Sequence, residues 1–299
     1  MWRQLDIPQN MPLCRGFSLL ELMLVLALLS VLVWVAVPRY GAQQVQGRSA
    51  AMQLEWNRLR EVVRPDGTLG CWDESSVMEW SKVRRKAKRE DRKVNVGLVF
   101  GIVVEKNHEL QVDDPKRKYK GRAVFQGNHV KDEEGNWAIF AELGSSPATM
   151  EAARAADAYG LFAGHAVQQS DAEQAYTQAW LTGTETWVRL PWDQWPDSWA
   201  GMDDPVCRLE LALYGHPDSG TYWETYFHGH VMSVGFKPVD GWTSCFWHAD
   251  LQVFLVMYAD DFKFSGTRSL GSHIELTRGR PERHRDGPAD ARRALVGLG

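Results

Sequence analysis

Leu251–Tyr258 reads LQVFLVMY, Ala259-Asp260 follows, and Asp261–Ser265 reads DFKFS. The first stretch is a strongly apolar run of strand length. The next two residues suit a tight turn, and the last five alternate as a returning strand. This predicts a β-hairpin with two adjacent acids at its tip and an apolar sheet behind it. Asp is a poor strand former, and two uncompensated carboxylates side by side repel. The placement becomes favourable when a divalent cation binds there.

A carboxylate pair on a hairpin needs a third carboxylate to hold two Mg²⁺ ions, which prefer oxygen ligands and keep several waters. Asp171 is the best candidate, because Ala166-Val167 begins a short apolar stretch that ends on it. Two ions about 3.5–4 Å apart activate a hydroxyl and stabilise a leaving pyrophosphate. The chemistry expected is in-line phosphoryl transfer, in which positioning and charge neutralisation do most of the catalysis.

Working outward, residues 73–93 (DESSVMEWSKVRRKAKREDRK) open with helix-cap chemistry, Ser75 or Ser76 ahead of Glu79. Eight Lys/Arg and two acids lie between Lys82 and Lys93. That run is either a solvated helix face or a contact for a phosphate backbone. Val94–Val104 is β-branched and glycine-punctuated, a strand or strand pair. Five cations fall between Lys116 and Arg122 and run into a short apolar strand. Cations at a strand edge beside a glycine face a polyphosphate in one reading and belong to a charged hairpin in the other. Ser146-Pro147-Ala148 is expected to start a helix reaching Tyr159, and Ala172–Leu181 a further helical segment. Residues 187–206, with four tryptophans and three prolines, read as a long ordered loop. Residues 209–234 look helical from about Thr221. His228, His230 and His248 read as surface histidines, since no Cys or carboxylate spacing completes a metal cluster.

From about Asp73 to Gly266 the chain resembles the reverse transcriptase of copia-type retrotransposons, on stretches that occur in the family's order. KYKGRAVFQG (Lys118–Gly127) is similar to the fingers motif, usually K-A-R-x-V-x-x-G. QQSDAEQAYTQA (Gln168–Ala179) is similar to the first palm motif. VCRLELALYGHPDSGTYW (Val206–Trp223) is similar to the L-Y-G-x-x-Q-x-x-x-x-W motif, and YADD (Tyr258–Asp261) to the catalytic hairpin. The resemblance implies an α+β, polymerase-like fingers–palm fold with an antiparallel catalytic sheet. It implies an RNA-directed DNA polymerase acting on an RNA or DNA template with a primer and on deoxynucleoside triphosphates. Carried over by position, Asp171, Asp260 and Asp261 would be the metal-binding triad, with the backbone carbonyl of Ala172 a further ligand. Tyr176 matches the aromatic gate that selects deoxynucleotides, Lys120 and Arg122 would grip the triphosphate, and Tyr258 would pack beneath the primer end. Asp218 stands where the family usually has Gln, a position that lines the nucleotide pocket, so a carboxyl replaces the amide there. The family continues into further palm strands, a thumb and RNase H, whereas 33 residues follow Gly266. Residues 267–299 are Arg/Gly-rich and are expected to be disordered. The expectation is therefore a polymerase without a thumb, with a poor grip on primer–template, truncated and inactive in one version.

The N-terminus points elsewhere. Residues 1–16 form a leader, and Phe17–Val37 holds 21 residues with Glu21 as the one charge. At about 1.5 Å per residue this spans a bilayer core. Arg3 and Arg15 before it place the N-terminus in the cytoplasm by the positive-inside rule, and residues 38–40 close the segment. Arg15-Gly16-Phe17 with Glu21 resembles the type IV prepilin signal. That implies cleavage after Gly16, methylation of Phe17 and pairing of Glu21 with a neighbouring subunit. A signal anchor with a chance glutamate is the plainer reading. Residues 41–72 are a linker or a helix extension, with Met52, Trp56 and Leu59 as the apolar positions of a helix over 42–62. A single-pass membrane protein is expected if this segment is real, and a cytoplasmic or nuclear one otherwise.

Charged residues at 24%, hydrophobic at 44% and a net charge of −4 exclude a collagen, a disordered acidic tail, a polytopic membrane protein and a uniformly basic nucleic-acid coat. Four scattered cysteines make neither a disulfide framework nor a zinc site. Three functions compete: the polymerase; a membrane-anchored pilin-like structural protein carrying an inert retroelement relic; and a module that holds nucleic acid through Lys82–Lys93 without catalysis.

Overall fold

The computed structural model describes residues 44–267 except 112 and 141–145, together with Met23 and Leu26. Gly16, Phe17, Glu21, nearly all of the apolar N-terminal run and the tail beyond Thr267 lie outside the described residues. Among the described residues no helix is long and apolar enough to cross a membrane. The chain divides into two compact units. One holds the described residues up to Ala51 with Glu105–Tyr119; the other holds Met52–Val104 and the chain from Lys120 onward.

In the first unit, Arg117 pairs with Glu105 at 2.7 Å and the guanidinium of Arg48 lies 5.5 Å from the ring centre of Tyr119. The second unit is α+β. Its first sheet runs in the order β1 (Trp72–Glu79), β7 (Pro205–Leu209), β6 (Glu185–Arg189), β2 (Val94–Lys106), β3 (Lys118–Phe125), with β4 (Lys131–Asp132) also on β2. The β2–β6 pair is parallel. Helix α1 (44–61) buries Trp56 and Leu59 in the main core of this sheet, with Trp72, Phe125, Trp199 and Leu211. Helix α2 (Trp80–Arg89) buries Trp80, Val83 and Ala87 against Val94, Val96 and Val206.

The second sheet is antiparallel throughout: β5 (His165–Asp171), β11 (Asp261–Thr267), β10 (Val253–Tyr258), β9 (Cys245–His248), β8 (Lys237–Pro238). Helix α4 (Ser219–Ser233) presents Trp223, Phe227 and Val231, one turn apart, to Leu255, Met257, Phe262 and Phe264. Helix α3 (Met150–Gly160) packs Ala152 and Ala156 with Cys245 and Val256. The small residues of α3 let it approach closely enough for Ser265 Oγ to donate to the Ala156 carbonyl at 2.7 Å. β10 thus has cover on both faces, the physical reason its sequence is continuously apolar rather than alternating.

Several local expectations are corrected. Residues 72–79 are strand, captured by pairing with β7, so α2 starts at Trp80 with no side-chain cap. Helix α3 is capped by Thr149, whose hydroxyl accepts from the Ala152 amide at 3.3 Å, and not by Ser146. Residues 172–181 form only a 3₁₀ turn at Ala175–Gln178, because Gln174 takes a left-handed φ of 55°. The tryptophan-rich stretch 187–206 is flanked by strands β6 and β7, and Trp187 and Trp199 are buried. His248 is buried rather than at the surface; its Nδ1 accepts from the Leu251 amide and its Nε2 faces the Val234 carbonyl at 3.1 Å. Cys71, Cys207 and Cys245 are free and buried, and burial pushes the Cys71 thiol up to about 12.

Candidate functional site: an acidic corner on the antiparallel sheet

The acidic corner is built by strand register. In the β10–β11 hairpin Tyr258 stands opposite Asp261, leaving Ala259-Asp260 as a two-residue turn. Ala259 has a φ of +54°, a left-handed conformation that costs a non-glycine residue roughly 1–2 kcal/mol. The indole Nε1 of Trp223 donates to the Ala259 carbonyl at 2.9 Å and fixes the turn from α4. On the other side β5 pairs with β11 so that Asp171 stands opposite Asp261. The Ala172 amide then donates to the Asp260 carbonyl at 2.7 Å. Directly opposed residues on antiparallel strands lie about 4.5–5.5 Å apart at Cα and point to the same face. Asp171, far from the hairpin in the chain, therefore faces Asp261 at one end of the sheet beside the Asp260 turn, and all three are solvent-exposed.

The electrostatics follow from that crowding. The Asp261 carboxyl is held above the ordinary carboxylate range, first by desolvation and then by the charges of Asp260 and Asp171. The nearest strand lysine, Lys263, is engaged by Asp157 at 2.9 Å instead. The corner is thus a set of hard oxygen donors with excess negative charge, the chemistry that suits Mg²⁺. Among the described residues no three His, Cys, Asp or Glu side chains are arranged as a ready ligand set.

A line of aromatic and cationic groups leads away from the acids. Tyr176, on the 3₁₀ turn after β5, has its phenol raised by burial, then by Asp260, then by Tyr214. Its ring centre is 5.7 Å from that of Tyr214. The Arg122 guanidinium of β3 lies over the Tyr214 ring, 5.5 Å from its centre. Lys120, two residues earlier and also exposed, shares a face of β3 with Arg122. Beside the turn, Tyr176, Trp223, Glu224, Met257 and Ala259 line part of a small, shallow hollow. Tyr258 is exposed at the end of β10. Asp218 takes the N-cap position of α4 without a capping side-chain bond. Burial raises its carboxyl; the neighbouring Tyr222 phenol is raised first by its own burial and then by the Asp218 charge.

β3 is joined to the loop carrying Tyr214 by backbone contact. The Phe125 amide donates to the Tyr214 carbonyl at 2.8 Å. Gly215 has a φ of +91°, and a Cβ there would strike the Phe125 carbonyl oxygen, while a Cβ on Gly127 would strike that of Gly215. Sequence reasoning passed over Tyr214, Gly127, Gly215 and Trp223 as site residues. Their signal was present: each is a glycine or aromatic within the stretches quoted above. His228, His230 and His248 do not form a cluster; His228 lies 3.8 Å from Glu224 on α4.

Residues 11–37 match the family described as the prokaryotic N-terminal methylation motif. The match includes Gly16, Phe17 and Glu21, and it lies almost entirely outside the described residues. No curated protein matches the chain.

Proposed function

We propose that residues 73–266 are the fingers–palm part of an RNA-directed DNA polymerase of the copia type, extending a primer with deoxynucleoside triphosphates on an RNA or DNA template. The observation that carries this reading is the pairing of Asp171 with Asp261 beside the Asp260 turn. Asp171, Asp260 and Asp261 would hold the metal, with the Ala172 carbonyl alongside. Two Mg²⁺ ions, when bound, supply Lewis-acid activation of the primer hydroxyl and charge neutralisation at the leaving pyrophosphate. The protein's own groups position the reactants. Arg122, steadied over Tyr214, and Lys120 hold the anionic triphosphate. The Tyr176 ring lies between that arginine platform and the acids, where a 2′-hydroxyl would meet it. Asp218 offers the nucleotide pocket a carboxyl in place of the usual amide, and Tyr258 supports the primer end. The test is primer extension by the full chain. Asp260→Asn should abolish incorporation and leave the circular dichroism spectrum unchanged; incorporation that survives this substitution overturns the reading.

The methylation motif over 11–37 favours a second reading: a membrane-anchored, pilin-like structural protein whose later part is a catalytically inert relic. In it, residues 17–37 form the anchor and Glu21 pairs with a neighbouring copy. Co-expression with a prepilin peptidase tests it. Cleavage between Gly16 and Phe17, methylation of Phe17 and assembly into fibres support it. An uncleaved chain that extends primers sinks it.

A further inference from the structure

We infer that the outer face of α2 is a binding surface for the phosphodiester backbone of a nucleic acid, separate from the acidic corner and independent of any metal. The helix sorts its residues cleanly. Trp80, Val83 and Ala87 are buried against the first sheet, so no apolar stripe is left to enter a lipid surface or bury against a protein partner. Lys82, Arg85, Lys86, Lys88 and Arg89 are exposed.

The helix interior from Trp80 to Arg89 contains no acid, and its first turn carries none either. Lys82 with Lys86 and Arg85 with Arg89 are like-charge pairs four residues apart, which weaken a helix instead of bracing it. Lys82 near the N-terminus opposes the helix dipole, whereas Lys86, Lys88 and Arg89 in the last turn are favoured by it. An ordinary solvated face alternates signs to avoid these costs.

The neighbouring charges do not neutralise the face. Glu79 accepts from the backbone amides of Asp203 and Asp204. Glu90 and Glu185 are both taken by Arg92, which leaves Arg92 out of the patch. Arg84 turns to the carbonyls of Glu133 and Glu134, and the Glu133 carboxylate accepts from the Val94 amide. Asp132 accepts from the amides of Glu134 and Asn136. Arg85, itself exposed, donates through Nε to the Ser81 carbonyl. Among the described residues, Lys82, Lys86, Lys88 and Arg89 take part in no ion pair. A row of uncompensated cations on a rigid helix fits a regular line of phosphates, whose binding releases condensed counterions.

The experiment measures binding of the full chain, in detergent and EDTA, to a fluorescent single-stranded oligonucleotide by anisotropy across a salt series. Lys82→Gln/Lys86→Gln is compared with the charge-matched Arg154→Gln/Lys237→Gln, which removes two exposed cations elsewhere. The helix variant should bind about tenfold more weakly, with the slope of log K against log salt shallower by roughly 1.4. The matched control should behave as wild type. Equal losses in both double variants, no loss in either, or wild-type binding to phosphatidylserine vesicles but not to the oligonucleotide overturns the proposal. Because no metal or triphosphate is present, a chain that binds but never extends a primer refutes the polymerase reading and leaves this surface standing.

Discussion

Trp223 donates its indole proton to the carbonyl of Ala259, the residue that turns the β10–β11 hairpin in a left-handed conformation. The bond ties α4 to the acidic corner. Trp223→Phe keeps most of the buried ring and deletes the donor, so a loss of about 1 kcal/mol is expected. Ala259→Gly, which relieves the strained φ, should instead stabilise by about 0.5–1 kcal/mol. Urea unfolding of the two variants checks both signs.

The Asp261 carboxyl is raised above its usual 3.8 by partial burial and by Asp260 and Asp171. A carboxyl raised in the folded state holds its proton more tightly there than in the unfolded chain. Its ionisation therefore costs stability above the folded pKa, and the cost disappears as pH falls through that value towards 3.8. Asp261→Asn should be more stable than wild type at pH 7, with the difference gone below about pH 4. Urea midpoints at the two pH values test this.

Binding of Mg²⁺ at the same corner predicts a linked stabilisation. At tenfold excess over its dissociation constant the ion adds about 1.4 kcal/mol to the wild type. EDTA should reverse the gain, and Asp171→Asn should reduce it sharply. Thermal unfolding with and without Mg²⁺ reads the effect without any assay of activity.

On the polymerase reading, Tyr176, whose ring neighbours Tyr214 and feels the Asp260 charge, would be the filter for the sugar. Tyr176→Ala should raise incorporation of ribonucleotides relative to deoxynucleotides by tenfold or more, a loss of roughly 1.4 kcal/mol of discrimination. Tyr176→Phe should leave the ratio unchanged. Paired primer-extension rates with the two nucleotide types decide it.

Gly215 abuts the Phe125 carbonyl with a φ of +91°. Gly215→Ala meets both a steric clash with backbone and a strained φ, so a loss of about 2 kcal/mol or more is expected. Gly235→Ala, whose Cβ would meet the His248 side chain at 2.7 Å, should also destabilise, but without disturbing the junction of β3 with the Tyr214 loop. The urea midpoint and, on the polymerase reading, the affinity for nucleotide that Arg122 would confer separate the two.

The sequence alone determined what is local. A continuous apolar run followed by a polar pair and an alternating segment specifies a hairpin, and β10 and β11 follow it closely. The heavy apolar spacing after Thr221 likewise marks α4, with Trp223, Phe227 and Val231 on its buried face. The cap of α3 was harder, since Ser146 and Thr149 are both good caps and only the path of the chain brings one hydroxyl to the Ala152 amide. Residues 73–93 open with helix-cap chemistry at Ser75 or Ser76, yet the stretch up to Glu79 becomes strand because β7 supplies the partner, and the helix starts only at Trp80. Tertiary structure alone decided the corner itself. Nothing near Asp171 in sequence sets the register that puts it opposite Asp261; that register is fixed by burying Phe262 and Phe264 under α4 and holding Lys263 to Asp157. Strand pairing is long-range, and a slip of one residue would turn each side chain to the other face.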